Sequence, residues 1–307
     1  MFDGILPIYK ERGMTSHDVV FKARKILKMK KIGHSGTLDP EVDGVLLLLL
    51  GGATKVSDYA MDLGKSYRAE VCLGIKTTTE DLTGEILEER TVEGIDISEI
   101  KGILKTMVGE IEQTPPIYSA VKVNGRKLYE YARREQFDVE IPSRKVNIYN
   151  IEFIDNSEYY KDGKFYFTID IDCGKGTYVR TIATSIGEKL NIPSTMSKLT
   201  RTSSGKITLH HCLKLADVEK CLKENTLEDK ILKKEYALEE YQFVEIPLFR
   251  AKQVMNGLRF RKNQFPDYDF SNGIVFTYNN EAIAIYYLKD KDDELLSVKT
   301  TFPKILE

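Results

Sequence analysis

Hydrophobic residues recur at helical spacing near the start of the chain. The pair Thr15 and Asp18, three residues apart, gives a helix start signal. It is followed by an apolar face made of Val19, Ala23, Ile26 and Leu27. Cations fall on the opposite side of the same helix: Arg24, Lys28 and Lys31. We therefore predict an amphipathic helix with an exposed basic stripe.

Strict alternation of apolar and polar residues predicts two half-buried strands further along the chain. Residues 66–74 place Tyr67 at the start of an apolar face, and residues 165–173 alternate in the same way. The apolar run at 45–50 is different, because its length and spacing fit a buried strand and a buried helix segment equally well. Its periodicity leaves both structures open.

A second helix follows the strand at 165–173. The sequence Gly-Lys-Gly at 174–176 turns the chain, and apolar residues then recur at helical spacing as far as Leu190, before Pro193. Arg180 falls in the first turn of this helix, where a cation opposes the helix dipole. Helix statistics do not favour arginine at that place, so its presence there favours an anionic partner.

The length of the chain and a change to short predicted strands near its C-terminal end indicate two domains. A chain of 307 residues is at the edge of what one core supports. We place a larger unit at residues 1–240, with a long insertion of little periodicity at about 113–145. A small β-rich unit follows at 241–307, with short strands predicted at 274–278, 282–288 and 295–302. Asn279-Asn280 joins the first two of these strands.

Composition describes an ordinary globular protein and argues against a membrane span. Hydrophobic residues make up 42% of the chain and charged residues 30%. The longest apolar run, at 45–50, is far shorter than the roughly 18 residues that cross a bilayer. The four cysteines form no C-x-x-C pair, and the adjacent His210 and His211 are poorly spaced for a metal. We expect free thiols, no metal site and a cytoplasmic protein without a secretory signal.

Charge is unevenly distributed although the net charge is only −2. Residues 22–31 carry six cations and no acid, and residues 174–206 carry six cations against the single acid Glu188. A solvated helix face explains either run taken alone. Because both runs flank candidate site loops, together they favour a polyanionic partner.

The stretch GHSGTLDPEVDG at 33–44 is typical of an active-site loop. Ser35 as a nucleophile would need a base and an oxyanion hole, and the strand–elbow–helix context of serine hydrolases is missing around it. Asp39 precedes a proline, which holds its backbone extended. From the residues alone, this carboxylate fits a nucleophile, a helix cap or a turn.

A set of motifs carries a family resemblance. The loop is similar to the signature of the TruB-type tRNA pseudouridine synthases, and further motifs resemble that family in the same order over about residues 4–206. These are GMTSHDVV at 13–20, KSYR at 65–68, QTPP at 113–116, YSA at 118–120 with Lys122, CGKGTYVR at 173–180 and LTRT at 199–202.

The resemblance implies a fold and a reaction. The fold is of the α/β (α+β) class: a pseudouridine synthase domain with a central mixed, largely antiparallel sheet flanked by helices, plus a small C-terminal PUA-like β domain. The reaction converts a uridine in the T loop of tRNA to pseudouridine after base flipping. Substrate and product are isomers, so the resemblance implies no cofactor and no metal. We expect the T arm of tRNA as partner, no membrane, and a monomer.

The resemblance also assigns roles in catalysis. Asp39 would be the nucleophile or the proton-abstracting carboxylate, and the three possibilities of attack on the ribose, attack on the base and removal of a ribose proton stay open. Arg180 would pair with Asp39 and favour its ionised form. Tyr67 would stack on the flipped uracil or relay the C5 proton.

Further residues would bind the substrate. Tyr178 and Leu199 would line the same pocket, and His34 would contact the RNA where the base left its stack. In the insertion, four cations are candidates for backbone contacts: Lys122, Arg126, Arg133 and Arg134.

The chain departs from the family pattern in three places. Ser35 replaces a threonine, which keeps the hydroxyl group. Lys10-Glu11 stands where Lys-Pro is usual. Glu41-Val42-Asp43 replaces a small apolar run and puts two acids near Asp39, so we expect an effect on the level of activity.

Two other functions remain compatible with these motifs. A guide-RNA-dependent pseudouridine synthase shares the loop, although the shortish N-terminus and the tRNA-type insertion argue against it. A tRNA-binding or folding protein without catalysis is the alternative of a different class. The presence of Asp39, Tyr67 and Arg180 argues against that second reading.

Overall fold

The computed structural model describes residues 2–290 and 292–302. Its strands are β1 Gly4–Lys10, β2 Ile32–His34, β3 Asp43–Leu50, β4 Lys65–Leu73, β5 Ile75–Thr77, β6 Ile86–Glu89, β7 Gly109–Gln113, β8 Lys122–Val123, β9 Arg126–Lys127, β10 Arg144–Phe153, β11 Tyr159–Lys161, β12 Lys164–Cys173, β13 Ser194–Ser204, β14 Ile207–Thr208, β15 Gln242–Glu245, β16 Phe260–Arg261, β17 Ile274–Tyr278, β18 Glu281–Tyr287 and β19 Leu295–Thr301.

The helices are α1 Ser16–Leu27, α2 Ser57–Asp62, α3 Ile97–Thr106, α4 Leu128–Ala132, α5 Val179–Leu190, α6 Leu215–Lys223 and α7 Leu248–Met255. Short 3₁₀ turns connect some of these elements, including one at Gly51–Val56. In the part of the chain that the structure describes, none of these helices has the length and apolar character needed to cross a membrane.

A large sheet forms the body of the molecule. Its strands run in the order β1-β3-β13-β4-β12-β10-β7, with β2, β11 and β14 paired at its sides. Only the β13–β3 pairing is parallel among the pairs described for this sheet. Helices α3 and α5 pack on one face. The prediction of a mixed, largely antiparallel sheet flanked by helices is confirmed, as are the two alternating strands, now β4 and β12.

The apolar run that periodicity could not assign is strand β3. Alternate residues of this strand enter two different cores: Val45, Leu47 and Leu49 lie in one, and Leu46, Leu48 and Leu50 lie in the other. Both faces of the strand are therefore buried, and no polar residue alternates with the apolar ones. Gly44, the second residue of the strand, lies so close to the main chain of Arg201 that any added Cβ would clash.

Helix α1 has the predicted start and cap, but it ends at Leu27, so Lys28 is its C-cap and Lys31 lies beyond it. The Thr15 hydroxyl accepts from the Asp18 backbone N–H, and the Asp18 carboxylate accepts in return from the Thr15 backbone N–H. The predicted basic stripe is therefore not a face of this helix, and its helical member Arg24 is half-buried and donates through Nη2 to the Ile32 carbonyl at 2.8 Å. Its guanidinium fixes the end of the helix, whereas Lys28 and Lys31 are exposed.

The insertion extends from the end of β7 to the start of β10. Residues 114–143 contain only the short β8–β9 hairpin and helix α4, which explains the weak periodicity of this segment. Its predicted ends at 113 and 145 belong to the flanking strands, because Arg144 pairs with Gln113 and Lys145 pairs with Glu112.

A separate five-stranded sheet forms the C-terminal part, in the order β15-β17-β18-β19-β16. Asn279 and Asn280 both adopt positive φ in the turn between β17 and β18, as the sequence predicts for this hairpin. Residues of this sheet, such as Val275 and Ile285, share a buried core with Ile5 of strand β1. The division into domains at 240 stays a prediction.

Candidate active site

The loop between β2 and β3 is fixed by backbone contacts on both sides. The Ser35 N–H donates to the Leu47 carbonyl at 3.0 Å, and the Leu38 N–H donates to the Ser16 hydroxyl at 2.8 Å, at the start of α1. The Val42 N–H donates to the Asp39 carbonyl at 3.1 Å and closes a turn. Asp39 therefore lies at the tip of an immobilised loop, with 43% of its side chain exposed.

A buried lysine supports this turn from below. Lys10 of strand β1 is fully buried, and its ammonium donates to the Val42 carbonyl at 2.6 Å and the Pro40 carbonyl at 3.2 Å. Burial lowers the pKa of Lys10 to about 8, although nearby carboxylates, Asp43 first among them, oppose the shift. In the sequence, Lys10 stands out only because Lys10-Glu11 occupies the place of the usual Lys-Pro. Its support of the loop could therefore not be predicted.

Arg180 faces Asp39, as predicted. Its Nη2 lies 3.1 Å from Asp39 Oδ2, and only 6% of its side chain is exposed. The same guanidinium donates through Nη1 to the Thr79 carbonyl at 2.8 Å and through Nη2 to the Tyr118 carbonyl at 3.1 Å. Asp81 Oδ2 lies 4.0 Å away. These acceptors explain why a cation occupies the first turn of α5 in spite of the helix dipole.

A cavity of about 390 Å³ opens beside this pair. Five of the predicted site residues line it: Asp39, Tyr67, Tyr178, Arg180 and Leu199. They come from the β2–β3 loop, strand β4, the turn before α5, helix α5 and strand β13. The cavity is therefore the place where distant motifs of the sequence meet.

Tyr67 sits next to a second buried arginine. Arg201 of strand β13 is 1% exposed, donates through Nε to the Val45 carbonyl at 2.6 Å, and hydrogen-bonds the Tyr67 hydroxyl. Burial raises the pKa of Tyr67, while the charge of Arg201 and its hydrogen bond act in the opposite direction. The phenol is therefore protonated at neutral pH and has a donor ready to stabilise its anion.

Lys65 is a third buried cation at the cavity. Its Nζ donates to the Met61 and Leu63 carbonyls at 2.8 and 2.7 Å. Burial lowers its pKa to about 8, and the charge of Arg201 adds to the effect. Lys65 and Arg201 both stand inside motifs that carry the family resemblance, and that position was the signal that could have marked them as site residues.

Tyr178 is held through its backbone by the edge of the insertion. Gln113 donates through Nε2 to the Tyr178 carbonyl at 3.0 Å and accepts from the Tyr178 N–H at 2.7 Å through Oε1. The Arg144 guanidinium lies 5.1 Å from the centre of the Tyr178 ring and donates to the Gly176 carbonyl. Strands β7 and β10 thus orient the aromatic wall of the cavity.

His34 and Lys122 do not line the cavity. His34 is half-buried in strand β2, its Nδ1 has no hydrogen-bond partner, and burial lowers its pKa. Lys122 is exposed in the β8–β9 hairpin. Their predicted contacts with RNA stay predictions.

One of the two extra acids near Asp39 is neutralised by its neighbours. Asp43 accepts from Arg12 Nε at 3.0 Å and from the Thr200 hydroxyl at 2.5 Å, and only 14% of its side chain is exposed. Glu41 is exposed. The departure from the family pattern therefore adds one free surface charge beside the loop rather than two.

The fold and this site define the class of protein. The structure superimposes on a chain of the solved structure "Crystal Structure of a Cbf5-Nop10-Gar1 Complex" with a TM-score of 0.72 and 25% identity, covering 98% of this chain and 85% of that chain. It also superimposes on a chain of "Structure of H/ACA RNP bound to a substrate RNA containing 2'-deoxyuridine" with a TM-score of 0.70 and 23% identity, at the same coverage. The fold is that of the pseudouridine synthases.

Sequence comparison identifies the particular family. The sequence model described as "TruB family pseudouridylate synthase (N terminal domain)" matches residues 24–179. The chain is 48% identical to tRNA pseudouridine synthase B of Staphylococcus aureus strain MSSA476, over 98% of this chain and the whole of the relative, and equally similar to the protein of strain Newman. The chain belongs to the TruB family of pseudouridylate synthases, which confirms the resemblance seen in the motifs.

Proposed function

We propose that this protein isomerises a uridine in the T loop of tRNA to pseudouridine. The observation that carries the proposal is the Asp39 carboxylate, 3.1 Å from a buried Arg180, at the edge of a cavity that Tyr67 also lines. The names of the relatives, tRNA pseudouridine synthase B, support tRNA as the substrate.

The target base has to leave the RNA stack to reach this cavity. Flipping a nucleotide costs a few kcal/mol, and the cavity offers Tyr67, Tyr178 and Leu199 as surfaces for the extruded ring. Exposed cations bind the phosphates and offset that cost: Lys28 and Lys31, which follow α1, and Lys122, Arg126, Arg133 and Arg134 of the insertion. His34 contacts the RNA at the place that the base left.

The reaction breaks the bond from N1 to the ribose and forms a bond from C5 to the same ribose carbon. C5 loses a proton and N1 gains one, so the atoms balance with no cofactor. Asp39 acts on the ribose carbon, on the base, or on a ribose proton, and Arg180 orients the carboxylate in each case.

Tyr67 has two compatible roles. Burial keeps the pKa of Tyr67 above its ordinary value, so the phenol is neutral. In this form its ring stacks on the uracil. To take the C5 proton it would have to react as the phenolate, which the hydrogen bond from Arg201 stabilises. Replacement of Tyr67 by phenylalanine separates the roles, since only the ring remains.

We place the protein in the cytoplasm, where it acts as a monomer on the T arm without a guide RNA. The four cysteines, all free thiols, support a reducing compartment. Asp39, Tyr67 and Arg180 reach one cavity within a single chain, which supports a monomer.

The test uses purified protein and two RNAs, an unmodified tRNA transcript and an isolated T-arm stem–loop. We expect one pseudouridine at the T-loop uridine of both RNAs, mapped at nucleotide resolution, with no guide RNA added. Formation only after addition of a guide RNA would assign the protein to the guide-dependent type. Tight tRNA binding without any pseudouridine would make it a non-catalytic tRNA-binding protein.

A further inference from the structure

The loop between β5 and β6 carries a residue that the proposed mechanism does not use. Glu80 has φ = +62°, a left-handed conformation that costs a residue with a side chain roughly 1 kcal/mol. It lies directly between Thr79, whose carbonyl accepts from Arg180, and Asp81, whose carboxylate lies 4.0 Å from Arg180. The turn at Glu80 therefore places the Thr79 carbonyl and the Asp81 carboxylate beside Arg180.

Two hydrogen bonds fix Glu80 in this conformation. Its Oε2 accepts from the Thr181 hydroxyl at 2.7 Å, and Thr181 is the residue after Arg180 on helix α5. Its backbone carbonyl accepts from the Met196 N–H at 3.1 Å, on strand β13. Glu80 therefore ties the loop to the helix that carries Arg180 and to the strand that carries Leu199.

Glu80 does not face the substrate. It lines a different cavity of about 440 Å³, which it shares with Thr181 and Glu188 and which includes neither Asp39 nor Tyr67. Burial raises the pKa of Glu80, and the Thr181 hydrogen bond acts against this rise. The Glu80 carboxylate is half-buried and lies outside the substrate cavity. Its side-chain hydrogen bond is the one from the Thr181 hydroxyl.

We infer that Glu80 is a positioning residue: its hydrogen bond to Thr181 holds the Thr79 carbonyl on Arg180 and so aims the guanidinium at Asp39. Three acceptors on three separate segments set the orientation of Arg180, namely Asp39, Thr79 and Tyr118. A guanidinium makes directional bonds in its plane, so loss of one acceptor lets the group turn away from the other two. This inference rests on the proposed function.

The experiment compares four variants of the full chain in single-turnover pseudouridine formation on a tRNA transcript. Glu80→Ala and Thr181→Val remove the two sides of the bond, and we expect each to lower the rate constant about 10- to 50-fold. Glu80→Gln and Thr181→Ser keep an acceptor and a hydroxyl, and we expect rates within about threefold of wild type. The tRNA dissociation constant should change less than about twofold in all four, because the contact lies outside the substrate cavity.

A double variant and a matched control complete the design. Glu80→Ala combined with Thr181→Val should be no slower than either single variant, because the two act through one bond. Glu188→Gln removes an acid from the same cavity without touching this bond, and should react at the wild-type rate.

The outcomes separate this inference from the proposed function. Wild-type protein that forms no pseudouridine overturns the proposed function. Active wild type with additive losses in the double variant, or with Glu80→Gln as slow as Glu80→Ala, overturns only the role of Glu80. Equal losses of rate and of tRNA binding would also contradict it, because they would show a general structural defect.

Discussion

The two walls of the cavity are built in different ways. The wall that carries Asp39 is a short loop fixed by backbone hydrogen bonds and supported by the buried ammonium of Lys10. The opposite wall is formed in part by the insertion, whose residues 119–121 line the cavity, whereas its residues 133–138 are all exposed and only short elements form. Its hydrogen bond to the site comes from Tyr118, whose carbonyl accepts from Arg180, whereas Gln113, which holds Tyr178, belongs to the flanking strand β7.

This difference suggests a division of labour. A catalytic carboxylate must be held within a fraction of an ångström, and a fixed loop on a buried support provides that. Phosphate contacts tolerate movement, because each is a surface charge pair that others can replace. We therefore expect changes in the Asp39 wall to lower the rate with binding retained, and changes in the insertion to weaken binding with the rate retained.

Asp39→Asn is the strongest test of the fixed wall. The amide keeps the shape of the side chain but loses its charge and its nucleophilic oxygen, so we expect pseudouridine formation to fall at least about 10⁴-fold. Binding of tRNA should stay within a few-fold of wild type, as measured by filter binding. Turnover near the wild-type rate would remove Asp39 from the mechanism.

Arg180→Lys tests whether the partner of Asp39 must be a planar guanidinium group with several donors. A lysine keeps the positive charge but cannot bond Asp39, Thr79 and Tyr118 together. We expect a loss of about 10²- to 10³-fold in the single-turnover rate constant and little change in the tRNA dissociation constant. A rate within threefold of wild type would mean that charge alone suffices.

The predicted and unpredicted parts of the site differ in the range of their contacts. The cap of α1 and the strands β4 and β12 follow from neighbouring residues, so local patterns predicted them. The support of the loop by Lys10 depends on carbonyls 30 and 32 residues away, and the burial of Arg201 depends on a pairing with β3. Neither residue has a local signature beyond its motif. The five residues of the cavity were named through the family resemblance, since periodicity had left Asp39 undecided.

The role of the insertion in binding is tested by removing its exposed cations, which lie outside the cavity. Within the described residues, Lys122, Arg126, Arg133 and Arg134 are exposed, and none of them forms an ion pair with a carboxylate. Changing all four to alanine should weaken tRNA binding about 10- to 100-fold. The logarithm of the association constant should also fall less steeply with the logarithm of the salt concentration, the slope being smaller in magnitude by up to about 3. The single-turnover rate at saturating enzyme should remain within about threefold.

The matched control for this variant removes the same charge elsewhere. Four lysines that pair with acids can be changed to alanine together: the half-buried Lys101 and the exposed Lys206, Lys220 and Lys223. We expect a smaller loss of affinity than for the insertion variant. Equal losses would show that net charge, rather than the insertion, determines binding.

The smallest effect is expected at Ser35, in the middle of the fixed wall. Ser35 is fully buried, its hydroxyl has no hydrogen-bond partner, and its backbone N–H holds the loop on Leu47. Ser35→Ala keeps that backbone bond and removes a buried hydroxyl that is unsatisfied in the folded protein, so stability should change little. We expect a rate of pseudouridine formation within about threefold of wild type and a melting temperature within about 2 °C. Complete loss of activity in a folded Ser35→Ala protein would instead point to a serine nucleophile, and the assignment of the chemistry to Asp39 would have to be abandoned.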